Sequence, residues 1–422
     1  MNILIRQARV VAPHNTNNRK VVDILIEGGA ITSIKKNITA KAGVRVIEGR
    51  DLCVSAGWVD MQAISCDPGF EHRETLDTLV KCAAAGGFTA VCIHNHNQPA
   101  LHNKTQIEYI INKTGNRIVD VYPLGTITVG GKGEDLAEMY DMQQSGAVGF
   151  SDYKHPIKDA GMMLRALQYS DNIGALIVAH ANDQYLSRGG QVNEGETATT
   201  LGLKGIPAIA EELMLQRNIT LLEYGGGRLH VPTISTRGSI ELVKKAKSAG
   251  LAVTCGVAAA NLLLDDSSLG DFDTNFKLDP PLRSKKDVLA LRNALNNGTI
   301  DVVVSDHAPY DTESKELEFD LADFGMISLQ TAFSCAFQAV QKDGLDNLIT
   351  ALTSRPREIL SLPAVSIAEG ETANLTIFST SEKTKLTDKT NESLSRNSPF
   401  YDKVLDGKVI GIVNGAKSFF NV

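Results

Sequence analysis

The sequence predicts an α/β protein, a (β/α)8 TIM-type barrel carrying a small β-sandwich domain formed from both chain ends. Three observations lead there. Strand-like alternation with a glycine turn occupies residues 1–54; short apolar strands alternate with helices over 55–363; strand-like texture returns over 364–422. A doubly wound open sheet is the alternative arrangement for the middle segment.

The N-terminal part reads as strands over 3–11, 22–27 and 30–35, the last two joined by Gly28-Gly29 as a hairpin. Strand ends follow at 59–61, 90–93, 146–151, 175–179, 219–223, 251–255 and 300–304. Between the first two, residues 74–85 place Leu76, Leu79, Val80, Ala83 and Ala84 on one helical face, and Gly86-Gly87 stops that helix. Ser239 is the expected cap of a helix over 240–249, ended by Gly250. Ser284, with Asp287 three residues on, opens a helix carrying Val288, Leu291 and Leu295. Beyond Pro363 the expectation is a strand over 373–378, a polar loop over 379–397, and closing strands over 408–413 and 418–422.

With 422 residues and 43% hydrophobic content the chain can bury a large core, which excludes a disordered or fibrous class. A net charge of -7 argues against nucleic-acid or anionic-membrane partners, because both need clustered Lys and Arg. No apolar run approaches a membrane span and the opening residues alternate, so a cytoplasmic protein is expected. The six cysteines (Cys53, Cys66, Cys82, Cys92, Cys255, Cys335) form no CxxC pair and fit buried thiols better than a zinc knuckle or a disulfide framework.

In a barrel the reacting groups follow the carboxyl ends of the strands. After the first strand comes Asp60-Met61-Gln62-Ala63-Ile64-Ser65-Cys66-Asp67-Pro68-Gly69, and after the second His94-Asn95-His96. Asp152 follows Gly149-Phe150-Ser151, His180 follows Ala179, and Asp306-His307-Ala308-Pro309 follows the 300–304 strand. These segments, with Glu71, Ala85-Gly86-Gly87-Phe88-Thr89, Gly205-Ile206-Pro207 with Glu211, the 277–283 run KLDPPLR and Asn397-Ser398-Pro399-Phe400, resemble the dihydroorotases of the amidohydrolase superfamily along almost the whole chain.

That resemblance implies interconversion of N-carbamoyl-aspartate and dihydroorotate in pyrimidine biosynthesis, with Zn²⁺ generating hydroxide and polarising the amide. It places the proton-shuttling aspartate at Asp306 and a substrate-carboxylate contact at Asn95. The implied metal ligands are Asp152, His180 and Asp306. The departures are as informative. Where the family carries His-x-His-x-Arg, this chain has Gln62-Ala63-Ile64-Ser65-Cys66; a further ligand position falls on Thr233, with His230 at a different family histidine; and Pro-His-His appears as Ala259-Ala260-Asn261.

Ile64 offers a metal nothing, and an amide or hydroxyl such as Gln62 or Thr233 is a poor neutral donor. The expectation is an absent or single weakly held ion, with His94 and His96 as the substitutes a rebuilt site would use. Three functional readings follow. One is a weak or non-catalytic pseudoenzyme acting as an assembly subunit, for which the resemblance suggests aspartate carbamoyltransferase as partner and a homo-oligomer. The second is an active metal-dependent dihydroorotase with a reduced or rebuilt site. The third is a hydrolase of another cyclic amide, since the carboxylate-binding Arg is absent.

Overall fold

The first barrel strand, Trp58–Ile64, and the second, Phe88–His94, are buried at every position, as parallel strands covered on both faces must be. The computed structural model describes residues 2–13, 15–270 and 272–421. Parallel ladders join Trp58–Ile64 to Phe88–His94 and the latter to Asp120–Pro123. Single parallel bridges from Gly125 to Phe150 and from Phe150 to Ile177 continue the ring. Ile177–Val178, Leu229–Val231, Val253–Ala258 and Val302–Val304 then pair in turn. A parallel bridge from Ala63 to His307 closes the barrel.

Both ends of the chain meet in one large sheet. Its order runs Lys417–Phe420, Val404–Asn414, Asn374–Lys385, Leu52–Ala56, Asn2–Val10, Val21–Glu27, Ala30–Lys35, with Arg45–Ile47 also paired to Asn2–Val10. Ile3, Ile5, Ile24, Ile26, Val54, Leu375, Ile377 and Val413 form its own apolar core. Trp58 ties this sheet to the barrel. Its ring lies 5.4 Å from that of Phe378 in the sheet and 4.7 Å from that of Phe333 on the helix Ala332–Val340, while its indole N–H donates to Ser55 Oγ at 2.9 Å.

Several elements differ from the sequence reading. Residues 219–223 are not a strand but the last turns of the helix Ala208–Gly225, because Leu215, Ile219 and Leu222 recur at helical spacing and are buried together. The strand at that point is the three-residue Leu229–Val231, after Gly225-Gly226-Gly227. Asp120–Pro123 was not anticipated; four residues beginning with Asp and ending with Pro give little strand signal. The helix expected to start after Ser239 spans Arg237–Ser248, capped instead by Thr236, whose side chain accepts from Ser239 N at 3.1 Å. Residues 379–385, expected as loop, extend the strand Asn374–Lys385 and pair through Lys385 with Val404; every one of them is Ser, Thr, Glu or Lys, so no apolar alternation marks the strand. Of the last expected strand, Lys417–Phe420 is present and Val422 lies outside the described residues.

Trp58 is fully buried between two aromatic rings of different elements, so Trp58→Ala is expected to cost about 3–5 kcal/mol of stability. Chemical denaturation of the variant checks this, and a loss below about 1 kcal/mol would mean that the junction repacks.

Candidate functional site at the barrel mouth

Asp306 sits immediately beyond the last barrel strand with a φ of 54°, a left-handed conformation that a residue with a Cβ adopts at a cost. Its neighbours hold it there. On one side Asp60 accepts from Ser305 N at 2.7 Å and from Ser305 Oγ at 2.6 Å. Complete burial pushes Asp60 up to about 7 despite these hydrogen bonds. On the other side His307 Nδ1 accepts from Ser328 N at 3.0 Å, which leaves its Nε2–H facing Glu74 Oε2 at 3.4 Å.

Both carboxylate oxygens of Asp306 are engaged. Oδ1 accepts from Gln62 Nε2 at 2.6 Å, and Oδ2 pairs with Lys154 Nζ at 3.0 Å. The Lys154 ammonium also donates to the Asp279 carbonyl oxygen, and its side chain is only 12% exposed, as is that of Asp306. The Asp279 carboxylate turns instead towards His180, whose Nε2 stands 3.4 Å from Asp279 Oδ2. Burial raises the Asp279 carboxyl, but His180 and Lys154 outweigh it and bring it down to about 2. Neither ring nitrogen of His180 has a well-formed hydrogen bond, so the Asp279 contact is a long electrostatic one.

Asp152 is occupied elsewhere. Its Oδ1 accepts from the backbone N–H groups of Ile127 and Thr128 at 2.8 and 3.1 Å, and its Oδ2 from Thr128 Oγ1 at 2.6 Å, which fixes the 127–128 turn. Burial raises it to about 6. A small cavity is lined by Asp152, Tyr153, His155 and His180. Asn95 uses its side-chain oxygen to accept from Leu101 N at 2.9 Å.

His94 and His96 do not converge on the carboxylates. His94 is fully buried, donating from Nε2 to the Met61 carbonyl at 3.0 Å and accepting at Nδ1 from Ser151 Oγ at 3.2 Å; burial lowers it to about 3. With both nitrogens used it is a strut between the first and fourth strands. His96 packs among Phe70, Tyr153 and Tyr310 with ring centroids 5.7 to 6.0 Å apart, and burial lowers it to about 4. Ile64 and Cys66 belong to the same apolar cluster as Tyr153 and Ala308. Burial, then Glu74, pushes the Cys66 thiol up to about 12, which removes it as a thiolate donor.

Thr233 is buried with its hydroxyl unpartnered, His230 bonds Thr254 Oγ1 at 2.8 Å, and Asn261 donates to the Pro281 carbonyl at 3.1 Å. Among the described residues no group of three or more His, Cys, Asp or Glu is placed to hold a metal ion. The residues at this mouth therefore do not fit a divalent-metal centre. Asp152 is spent on a turn, Asp306 on an amide and an ammonium, His180 is a lone imidazole 3.4 Å from Asp279, and the remaining positions offer amide, hydroxyl or hydrocarbon.

Two participants escaped the sequence reading. Lys154 lies two residues past Asp152, and a cation that close to a strand-end carboxylate was the available signal. Asp279 lies inside the KLDPPLR run without an assigned role.

The family profile described as Dihydro-orotase-like matches residues 52–239. Over 424 residues the chain is 36% identical to a protein named Dihydroorotase from Trichlorobacter lovleyi, covering all of both chains. Over 410 residues it is 40% identical to one of the same name from Pelotomaculum thermopropionicum, covering 96% of each. The chain belongs to the dihydroorotase family. Solved structures share the fold: the L-hydantoinase (dihydropyrimidinase) of Arthrobacter aurescens superposes with a TM-score of 0.86 at 22% identity, covering 100% of this chain and 97% of that one. A D-hydantoinase gives 0.83 at 22% identity, covering 100% and 95%. No helix among the described residues is long and apolar enough to cross a membrane.

Two outcomes follow from this geometry. His94→Ala removes two buried hydrogen bonds and leaves a cavity, and is expected to cost about 2–4 kcal/mol in denaturation; a loss below about 1 kcal/mol would mean that His94 is not a strut. Asp60, raised from 3.8 to about 7, holds its proton longer folded than unfolded, so its contribution to stability is present at acid pH and lost as pH rises through about 7. Between pH 4 and 8 the wild type should therefore lose more stability than Asp60→Asn, by on the order of a few kcal/mol in denaturation series. Parallel profiles would place Asp60 in a wetter site.

Proposed function

We propose that this dihydroorotase-family protein of pyrimidine biosynthesis turns over its ring substrate weakly or not at all and serves as an assembly subunit, with aspartate carbamoyltransferase as the candidate partner and a homo-oligomer as the candidate state. The observation that carries the reading is the occupation of Asp306. Its two oxygens are held by Gln62 and Lys154 at 2.6 and 3.0 Å, so the carboxylate expected to shuttle the proton is already satisfied. The missing imidazoles support the same conclusion. The division into 1–54 and 364–422 as one β domain and 55–363 as the barrel is part of this proposal, as is a cytoplasmic location.

A second reading, an active metal-dependent dihydroorotase with a reduced site, is supported by identities of 36–40% over nearly the full length to proteins named Dihydroorotase. On that reading Asp152, His180 and Asp306 hold the ion, Asp306 moves the proton and Asn95 contacts the substrate carboxylate; Asp306 must first exchange its Lys154 partner for the ion. Hydrolysis of another cyclic amide is the third reading, supported by the missing Arg after the first strand.

Dihydroorotate hydrolysis followed with the purified protein in zinc-containing buffer decides between them. The expected result is no turnover above buffer, together with co-purification of aspartate carbamoyltransferase from its native host. Robust turnover that disappears in Asp306→Ala establishes the second reading and removes the first.

A further inference from the structure

We propose that the Lys154 ammonium is the built-in cation of this site, standing where its charge is needed by Asp306 and Asp279 and excluding a divalent ion from that carboxylate; this rests on the reading above of a mouth without metal. Two carboxylates, Asp306 and Asp279, are largely withdrawn from water at the barrel mouth, with side chains 12% and 19% exposed. Buried carboxylates without a countercharge are strongly unfavourable. His180 meets Asp279 through a long 3.4 Å contact, but Asp306 has beside Lys154 only the neutral amide of Gln62. Nearby arginines are committed elsewhere: Arg73 bonds Asp311 at 2.7 Å, and Arg283 bonds Ser235, Asn193 and the Ile206 carbonyl at 2.7 to 3.1 Å.

Lys154 fills the gap. Its Nζ lies 3.0 Å from Asp306 Oδ2, donates to the Asp279 backbone oxygen, and sits 5.5 Å from the centre of the Tyr153 ring, so the ammonium is surrounded by oxygen and the face of an aromatic ring. Tyr153 is itself held at a φ of 56°, which turns the segment after Asp152 inward and delivers the next side chain to the mouth. The cation is thereby part of the fold. It cannot be chelated or diluted away, and its positive charge opposes a second cation at the same oxygens. Restoring imidazoles alone would then not restore a metal site.

Two measurements test this. In buffer containing a chelator, thermal unfolding is compared for the wild type, Lys154→Met, Asp306→Asn and the double variant. Lys154→Met is expected to lower Tm by several degrees, and the double variant by clearly less than the sum of the two single changes, because removing both charges leaves neither stranded. Additive losses overturn the proposal. Separately, zinc affinity is measured by calorimetry for Q62H/I64H/T233H with Lys154 intact and with K154M added. Binding at least about tenfold tighter once Lys154 is gone is expected, and equal affinity overturns exclusion. Should the imidazole variants not fold, zinc affinity of K154M against the wild type decides exclusion, tighter binding by K154M being expected and equal affinity overturning it, while the unfolding cycle decides the pairing. Stoichiometric zinc in the untouched wild type sinks the metal-free reading of the family member, whereas additivity in a zinc-free wild type sinks only the role of Lys154.

Discussion

The ion pair between Lys154 and Asp306 is the constraint around which the barrel mouth is arranged. A barrel brings the ends of eight strands to one face, and here that face collects Asp60, Asp152, Asp279 and Asp306 within a mostly buried volume. Each acid is satisfied in a different way. Asp60 clamps Ser305, Asp152 caps the 127–128 turn, Asp279 meets His180, and Asp306 takes Gln62 and Lys154. Close carboxylates of this kind repel unless cations, hydrogen bonds or protons intervene, and the chain supplies all three from its own residues.

The residues around the acids work together. Gln62 is more than an imidazole deleted: its amide donates to the carboxylate that a metal would otherwise neutralise. Ile64 and Cys66 close an apolar cluster with Tyr153 and Ala308, and the tight turns at Cys66, Tyr153 and Asp306, all at positive φ, direct these segments against one another. Strained residues of this kind persist where surrounding packing over-determines them. The mouth is thus packed and hydrogen-bonded as a structural unit, in a fold similar to that of an L-hydantoinase.

Much of this was legible in the sequence, and the failures have physical causes. Fully buried strands such as Phe88–His94 announce themselves as apolar runs, and Ser284 with Asp287 marks a helix start that the structure keeps. Short strands carry too few residues for periodicity to register, which is why Leu229–Val231 and Asp120–Pro123 escaped and the buried face of the helix Ala208–Gly225 passed for a strand. At the site, the strand-end positions of Asp152, His180 and Asp306 were readable, but what each one contacts was not. The pairing of Lys154 with Asp306 spans 152 residues, and that of Gln62 with Asp306 spans 244, distances at which only the closed barrel makes neighbours.

The central claim is that this mouth has exchanged a divalent ion for an ammonium of its own. Elemental analysis of the purified protein after equilibration with zinc and removal of free ion tests it most directly. The account predicts far less than one zinc per chain, with unchanged thermal stability after chelation; one or two tightly held ions per chain, whose removal lowers Tm, would contradict it.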